Sequence, residues 1–187
     1  MTGNEVRVVV RDEVAVTPDE RAAYQALSER TWPLDPNFVA DPDRRFIYLS
    51  RAFLYEADGA LAGIYSLIDR TITVDGRPER IAGLGNVAVD EARRGRGLGR
   101  HLVVAAAADA RARGYEFAVL FCRPDRRAFY DRLGWRLLEG IVEYTWHGEE
   151  LRRGPDRPVM ALPLTPAAIG RWQGWRHARI HVGVGSW

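Results

Sequence analysis

Lysine is missing from this 187-residue chain, and all 27 of its basic residues are arginine. That excludes a Schiff-base lysine and the lysine of the common triphosphate-binding loop. A GC-rich coding bias accounts for the arginine excess without a functional reason. Cysteine is scarce too. A single residue, Cys122, excludes an internal disulfide framework and a multi-cysteine metal site, and it fits a reducing cytoplasm. The four histidines are scattered without ligand spacing, so no metal is expected. Long hydrophobic runs are also lacking. The longest, residues 102–108, falls far short of a membrane span. The opening MTGNEVRVVVRDE has no apolar core between a basic start and a cleavage site, so it is not read as a secretory signal. Net charge is only +2, with 25 acidic residues set against dispersed arginines, which gives a nucleic-acid role no support. The expectation is a cytoplasmic protein without a nucleic-acid or membrane partner.

What is present reads as one well-packed domain of mixed α/β type, spanning residues 1–187. A short strand is expected over residues 5–10. TPDE at 17–20 then opens a helix, with Thr17 as cap, Pro18 in the first turn and Glu20 completing a capping box. A Pro- and Asp-rich loop follows. Residues 52–56, 61–74 and 79–89 read as strands joined by turns at Asp58-Gly59 and Asp75-Gly76. Residues 98–113 are Ala-rich and helical, closed by Gly114. FAVLFC at 117–122 suits a buried, parallel strand. A helix over 124–134 and strands over 135–138, 141–146 and 159–163 complete the order.

The sharpest local feature is ARRGRGLGRHL at 92–102, which packs three glycines and four arginines into eleven positions. It sits between a strand and a helix. A helix N-terminus offers unpaired N–H groups and the positive end of its dipole. Gly95, Gly97 and Gly99 let a pyrophosphate approach the backbone, and Arg94 and Arg96 add charge-assisted hydrogen bonds. A solvated basic turn is the alternative. The spacing matches neither the dinucleotide fingerprint GxGxxG nor a loop ending in Gly-Lys-Ser/Thr.

Arg94-x-x-Gly97-x-Gly99 after a VAV strand, with AFYDRLGW at 128–135, resembles the acyl-CoA signature and the following helix of the GNAT acyltransferases. The resemblance implies their α+β fold: a mixed, mostly antiparallel central sheet flanked by helices and splayed between the fourth and fifth strands. It implies acetyl-CoA as co-substrate. The pantetheine arm would lie along Val87, Ala88 and Val89, and the pyrophosphate on the N–H groups of Gly95, Arg96, Gly97, Leu98, Gly99 and Arg100. A backbone N–H near Val87 would polarise the thioester carbonyl. Tyr130 falls where the superfamily usually has the general acid for the departing thiolate.

The base is not identified by the sequence. Several relatives carry a glutamate on the strand where this chain has Gly83, Gly85 and Asn86. Glu143, Tyr144, His147, an Asp of the 35–43 loop and a held water are candidates. Cys122 at the end of an apolar strand reads as a core residue rather than an acyl carrier. Asp35, Asp41 and Asp43 either line the acceptor wall or simply make turns. The segment 164–187 holds half of the six tryptophans and is expected to pack on the domain. Ending on Trp187, it loosely resembles the tail of the aminoglycoside 2′-N-acetyltransferases, in which the terminal carboxylate faces the acceptor amine. A weaker similarity runs to nodulation acyltransferases that use longer acyl chains. The expected activity is acetyl transfer to a small amine, aminoglycoside-like among the options. A protein or peptide acetyltransferase and a non-catalytic CoA-binding module are the alternatives, and the resemblance leaves a homodimer open.

Overall fold

The computed structural model describes residues 6–33, 35–154, 156–185 and 187. The chain runs β1 (Val6–Asp12), α1 (Pro18–Thr31), β2 (Ile47–Glu56), β3 (Leu61–Val74), β4 (Arg77–Val89), α2 (Leu98–Ala112), β5 (Phe117–Phe121), α3 (Arg127–Asp131), β6 (Arg136–Leu137), β7 (Val142–Trp146), β8 (Glu149–Arg152), β9 (Val159–Pro163), α4 (Pro166–His177) and β10 (Ile180–Val184). The first strand was expected to start at Glu5, which lies outside the described residues.

All ten strands join one mixed sheet, in the order β6-β9-β5-β4-β3-β10-β7-β8, with β2 also on β3 and β1 on β2. Among the described residues, only the β4–β5 and β10–β7 pairs are parallel. Pairing of β4 with β5 covers just Ala82–Leu84 against Ala118–Leu120. Beyond Leu84, β4 runs on to Val89 with no β5 residue in register, so the sheet opens there into a cleft. Side chains alternate across a strand. Leu67, Leu84, Ala82, Ala118 and Leu120 therefore bury against Leu98, Leu102, Val103, Ala106 and Ala110 of α2. Ile64, Ala88 and Phe53, on the opposite face, bury against Tyr24 and Leu27 of α1.

The capping box of α1 forms as its sequence implies: Glu20 N–H donates to Thr17 Oγ1 (3.2 Å) and Thr17 N–H to the Glu20 carboxylate (3.0 Å). The 124–134 helix is shorter than its pattern suggested. A 3-10 turn (Pro124–Arg126) leads into a five-residue α3. Both Leu133 and Trp135 donate to the Tyr130 carbonyl, and Gly134, at φ 86°, turns the chain away into β6.

The largest departure is the tail. Residues 164–187 form a helix and then a strand that enters the sheet between β3 and β7. Thr165 caps α4 by accepting from Ala168 N–H at 3.1 Å, with Pro166 behind it, which repeats the Thr17-Pro18 start of α1. Trp175 stacks on Phe117 with ring centroids 3.8 Å apart. Strand β8 was also not anticipated. It pairs with β7 across a turn at His147 and Gly148, whose φ values of 50° and 80° suit a two-residue hairpin of type I′. Among the described residues, no helix is long and apolar enough to cross a membrane.

Candidate functional site

The glycine–arginine loop sits where β4 leaves the sheet. Gly95 and Gly97 have φ of 79° and 77°, and a Cβ at either would meet nothing within 4 Å. Glycine is required there by backbone conformation, not by space. Among the described residues, no partner is found for the N–H groups of residues 95–99, so they form an open donor row at the N-terminus of α2. At Gly99, a Cβ would lie 3.4 Å from the Phe129 ring, an ordinary contact, so α2 runs close to α3 there without a steric need for glycine.

The arginines play a different part from the one their spacing suggested. Arg96 pairs with Glu56 at 2.6 Å, and Arg93 pairs with the same buried carboxylate. Arg94 Nε donates to the Val89 carbonyl at 3.2 Å. Arg93 is half-buried, while Arg94 and Arg96 stay largely exposed; their contacts brace the loop and leave the backbone donors of residues 95–99 open. Arg100 stands exposed on α2.

On β4 the strand register shifts. Gly85 pairs with Ser66 and Ala88 with Ile64, so Asn86 and Val87 together oppose Tyr65. This is a β-bulge, and Asn86 sits in it at φ 52°, a conformation asparagine tolerates better than most residues. The signal was present in the sequence as an Asn beside glycines inside a strand. Around the bulge, on the α1 face, lies a small cleft lined by Arg44, Phe46, Tyr48, Ser66, Ile68, Gly85, Asn86 and Trp187. Tyr24 reaches toward it from α1. Burial holds its phenol above the usual range, while Ser66 and Asn86 beside it pull the other way.

Behind this cleft, Arg70 is buried. Its guanidinium donates to the carbonyls of Val182 (2.7 Å), Val184 (2.6 Å) and Gly185 (3.2 Å). Burial, then the charge of Arg44, pushes Arg70 down to about 10. Phe46 lies under both cations, 4.5 Å from Arg44 and 5.1 Å from Arg70. None of these cleft residues except Gly85, Asn86 and Trp187 was singled out from sequence. They come from three strands and two loops, and no local motif unites them.

Tyr130 is 9% exposed, and its ring packs edge-on to Phe129 at 4.9 Å. Burial, with Cys122 close by, pushes its phenol up to about 12. It stays protonated at neutral pH and keeps an O–H to donate. Cys122 is buried and pushed up to about 11 by burial and neighbouring aspartates, so it is a thiol 3.8 Å from the Met160 sulfur.

Glu143 differs from its expected role as a base. Arg179 holds it at 2.7 Å and 3.0 Å, and Arg152 at 3.0 Å. These guanidiniums keep its carboxyl below the usual range, and both oxygens are engaged. Of the loop aspartates, Asp35 accepts from Asn37 N–H at 2.8 Å in a local turn. Asp41 is 4% exposed and accepts from the N–H groups of Asp43 and His147, which lower its pKa. Those two follow the turn-making alternative, because backbone donors occupy them. Asp43 lines a second, more open cavity with Arg45, Asp69 and Arg70. Tyr144 packs under Arg153 at 4.4 Å. Among the described residues, no group of three or more His, Cys, Asp or Glu could hold a metal ion.

A family model described as Acetyltransferase (GNAT) domain matches residues 10–138. Among solved structures, a GNAT family N-acetyltransferase (YhbS) from Escherichia coli in complex with CoA is 20% identical. The match covers 97% of this chain and 93% of that one, with a TM-score of 0.63. A putative N-acetyltransferase from Lactobacillus plantarum is 22% identical over 87% of this chain and all of the other, at TM-score 0.58. FeeM, an N-acyl amino acid synthase from uncultured soil microbes, is 16% identical over 91% and 96%, at TM-score 0.55. A search of curated proteins finds no match.

Proposed function

The chain belongs to the GNAT acetyltransferases, and we propose that it moves an acetyl group from acetyl-CoA to the amine of a small molecule by direct transfer. The observation that carries this reading is continuity. The open N–H row of residues 95–99, the unpaired run of β4, the bulge at Asn86 and Val87, and the cleft beside it follow one another along the chain. The donor row fits a pyrophosphate, and the free edge of β4 fits an extended arm laid along it as an added strand. The co-substrate supplies an activated acyl group. The rest falls to the protein.

Residues 95–99 hold the phosphates, and the backbone at Val87 polarises the carbonyl. Tyr130 donates a hydrogen bond to the departing sulfur, which its high pKa suits, since it keeps the proton through the neutral range. No side-chain carboxylate lines the cleft among the described residues. We therefore assign deprotonation of the amine to a water held by Tyr48, Ser66 and Asn86.

The cleft also bears on the acceptor. Among the described residues, its one charged lining side chain is Arg44, with Arg70 close behind. An amine that also carries an acid group suits this wall better than a polycationic aminoglycoside does, because like charges repel. The likeness to an N-acyl amino acid synthase supports the same direction. The narrow cleft favours a small acceptor over a peptide. The test is thiol release from acetyl-CoA against amino acids, acidic amines, polyamines, aminoglycosides and short peptides, with Tyr130→Phe alongside. Turnover on acidic amines, lost in the variant, supports the reading. Tight acetyl-CoA binding with no turnover on any amine would leave a CoA-binding module instead.

A further inference from the structure

Along β4, Gly83 and Gly85 face the same side of the sheet as Ser66 and Ile68, their partners on β3. Phe121 continues this face on β5, two residues beyond Val119, the partner of Gly83. The glycines leave a bare strip at the point where β4 and β5 meet, and the indole of Trp187 fills it. A Cβ on Gly83 would lie 2.7 Å from Trp187 Cε2 and 2.8 Å from Nε1, and one on Gly85 would lie 3.2 Å from Cδ1. The ring meets Phe121 edge-on with centroids 4.7 Å apart. On another side stands the Arg70 guanidinium, 5.3 Å away, fixed by its bonds to the carbonyls of Val182, Val184 and Gly185. The indole N–H is buried with no hydrogen-bond partner among the described residues. Shape and apolar contact, not a polar anchor, therefore hold the ring in place.

We infer that the Trp187 indole is the end wall of the acyl pocket and restricts the transferred group to the size of acetyl. This rests on the reading that the thioester arm lies along Val87–Val89. An arm laid in the cleft from Val89 toward the bulge points its acyl group at the junction of the strands. Ahead of it lies an apolar strip of Gly83, Gly85, Ile68 and Phe121 that is closed only by Trp187. Each methylene added to an acyl chain must displace the ring or find no room. The ring's own support is the tail strand β10, so acyl size is set by a segment distant in sequence from the CoA loop.

The experiment measures binding of free CoA, acetyl-CoA, butyryl-CoA and hexanoyl-CoA to the full chain without an amine, for wild type, Trp187→Ala and Trp187→Phe. A methylene in a fitted pocket is worth about 10–200-fold. In wild type, hexanoyl-CoA should therefore bind at least about tenfold more weakly than acetyl-CoA. In Trp187→Ala the ratio should close or reverse, with Trp187→Phe between. Should the alanine variant not fold, as judged by its melting curve, the phenylalanine variant decides by the same ratio. Free CoA binding with the same acyl order in wild type and variants would overturn the inference. Failure of wild type to bind free CoA at all would instead sink the thioester reading, and this inference with it.

Discussion

Two loops crowd charge beside the cleft, and they use it differently. In the loop of residues 93–100, Arg93, Arg94 and Arg96 are bonded to Glu56 and the Val89 carbonyl, and the backbone N–H groups of residues 95–99 are left open. In the loop of residues 35–46, aspartates turn inward onto backbone donors, and what reaches the cleft is the guanidinium of Arg44. In both, the residues most conspicuous in the sequence shape the chain, and a less conspicuous group faces the ligand. A charged side chain near backbone donors or an opposite charge satisfies itself locally before it serves a ligand.

The comparison is best tested by substitutions that separate its two sides. The largest effect is expected at the proposed general acid. Tyr130→Phe should lower kcat by about 10²–10⁴-fold, the usual reach of a positioned acid, while acetyl-CoA binding measured by calorimetry stays in place. Next is the CoA loop. Gly97→Ala forces a left-handed backbone on a residue with a Cβ, at about 1–2 kcal/mol. If that cost falls on the bound form, CoA affinity drops about tenfold with little change in the amine KM. Arg44→Ala should do the reverse, raising the KM of an acidic amine and sparing CoA affinity. An equal effect of both variants on both ligands would erase the distinction between the loops.

A pH test follows from the buried thiol. With its pKa raised to about 11, Cys122 is protonated below that value. Alkylation should climb about tenfold per pH unit through the range where an ordinary thiol has levelled off. A plateau near pH 9 would show Cys122 to be exposed and weaken its reading as core. The smallest effect is expected at Glu143→Gln. Its carboxyl is held by Arg179 and Arg152, and its lowered pKa places any acid limb below the ordinary glutamate range. The substitution should leave kcat within about twofold, as for surface ion pairs generally. A loss comparable to that of Tyr130→Phe would restore Glu143 as the base.

Much of the fold was legible because its signals are local. Thr17 with Glu20, the apolar spacing of Leu98, Leu102 and Ala106, and the run FAVLF each need only neighbours in the chain to declare an element. Gly95 and Gly97 were legible for the same reason, since a positive φ is a property of one residue. The tail was read as packed but not as helix and strand, although Thr165-Pro166 carried the same start signal as Thr17-Pro18. The bulge at Asn86 was overlooked because its neighbours read as a plain strand.

The sequence by itself determined the order of elements from β1 to β7, the turn glycines before α2 and the helical place of Tyr130, because each depends on contacts within a few residues. Only the tertiary structure decided that Glu56 holds Arg93 and Arg96, that Glu143 is an ion-pair centre, and that Trp187 lies on Gly83 and Gly85. Glu143 and Arg152 are nine residues apart and meet across the β7–β8 hairpin; the other pairs are separated by tens of residues. Their meeting depends on the register of β4 against β3 and on β10 entering the sheet, and neither is written in any local pattern.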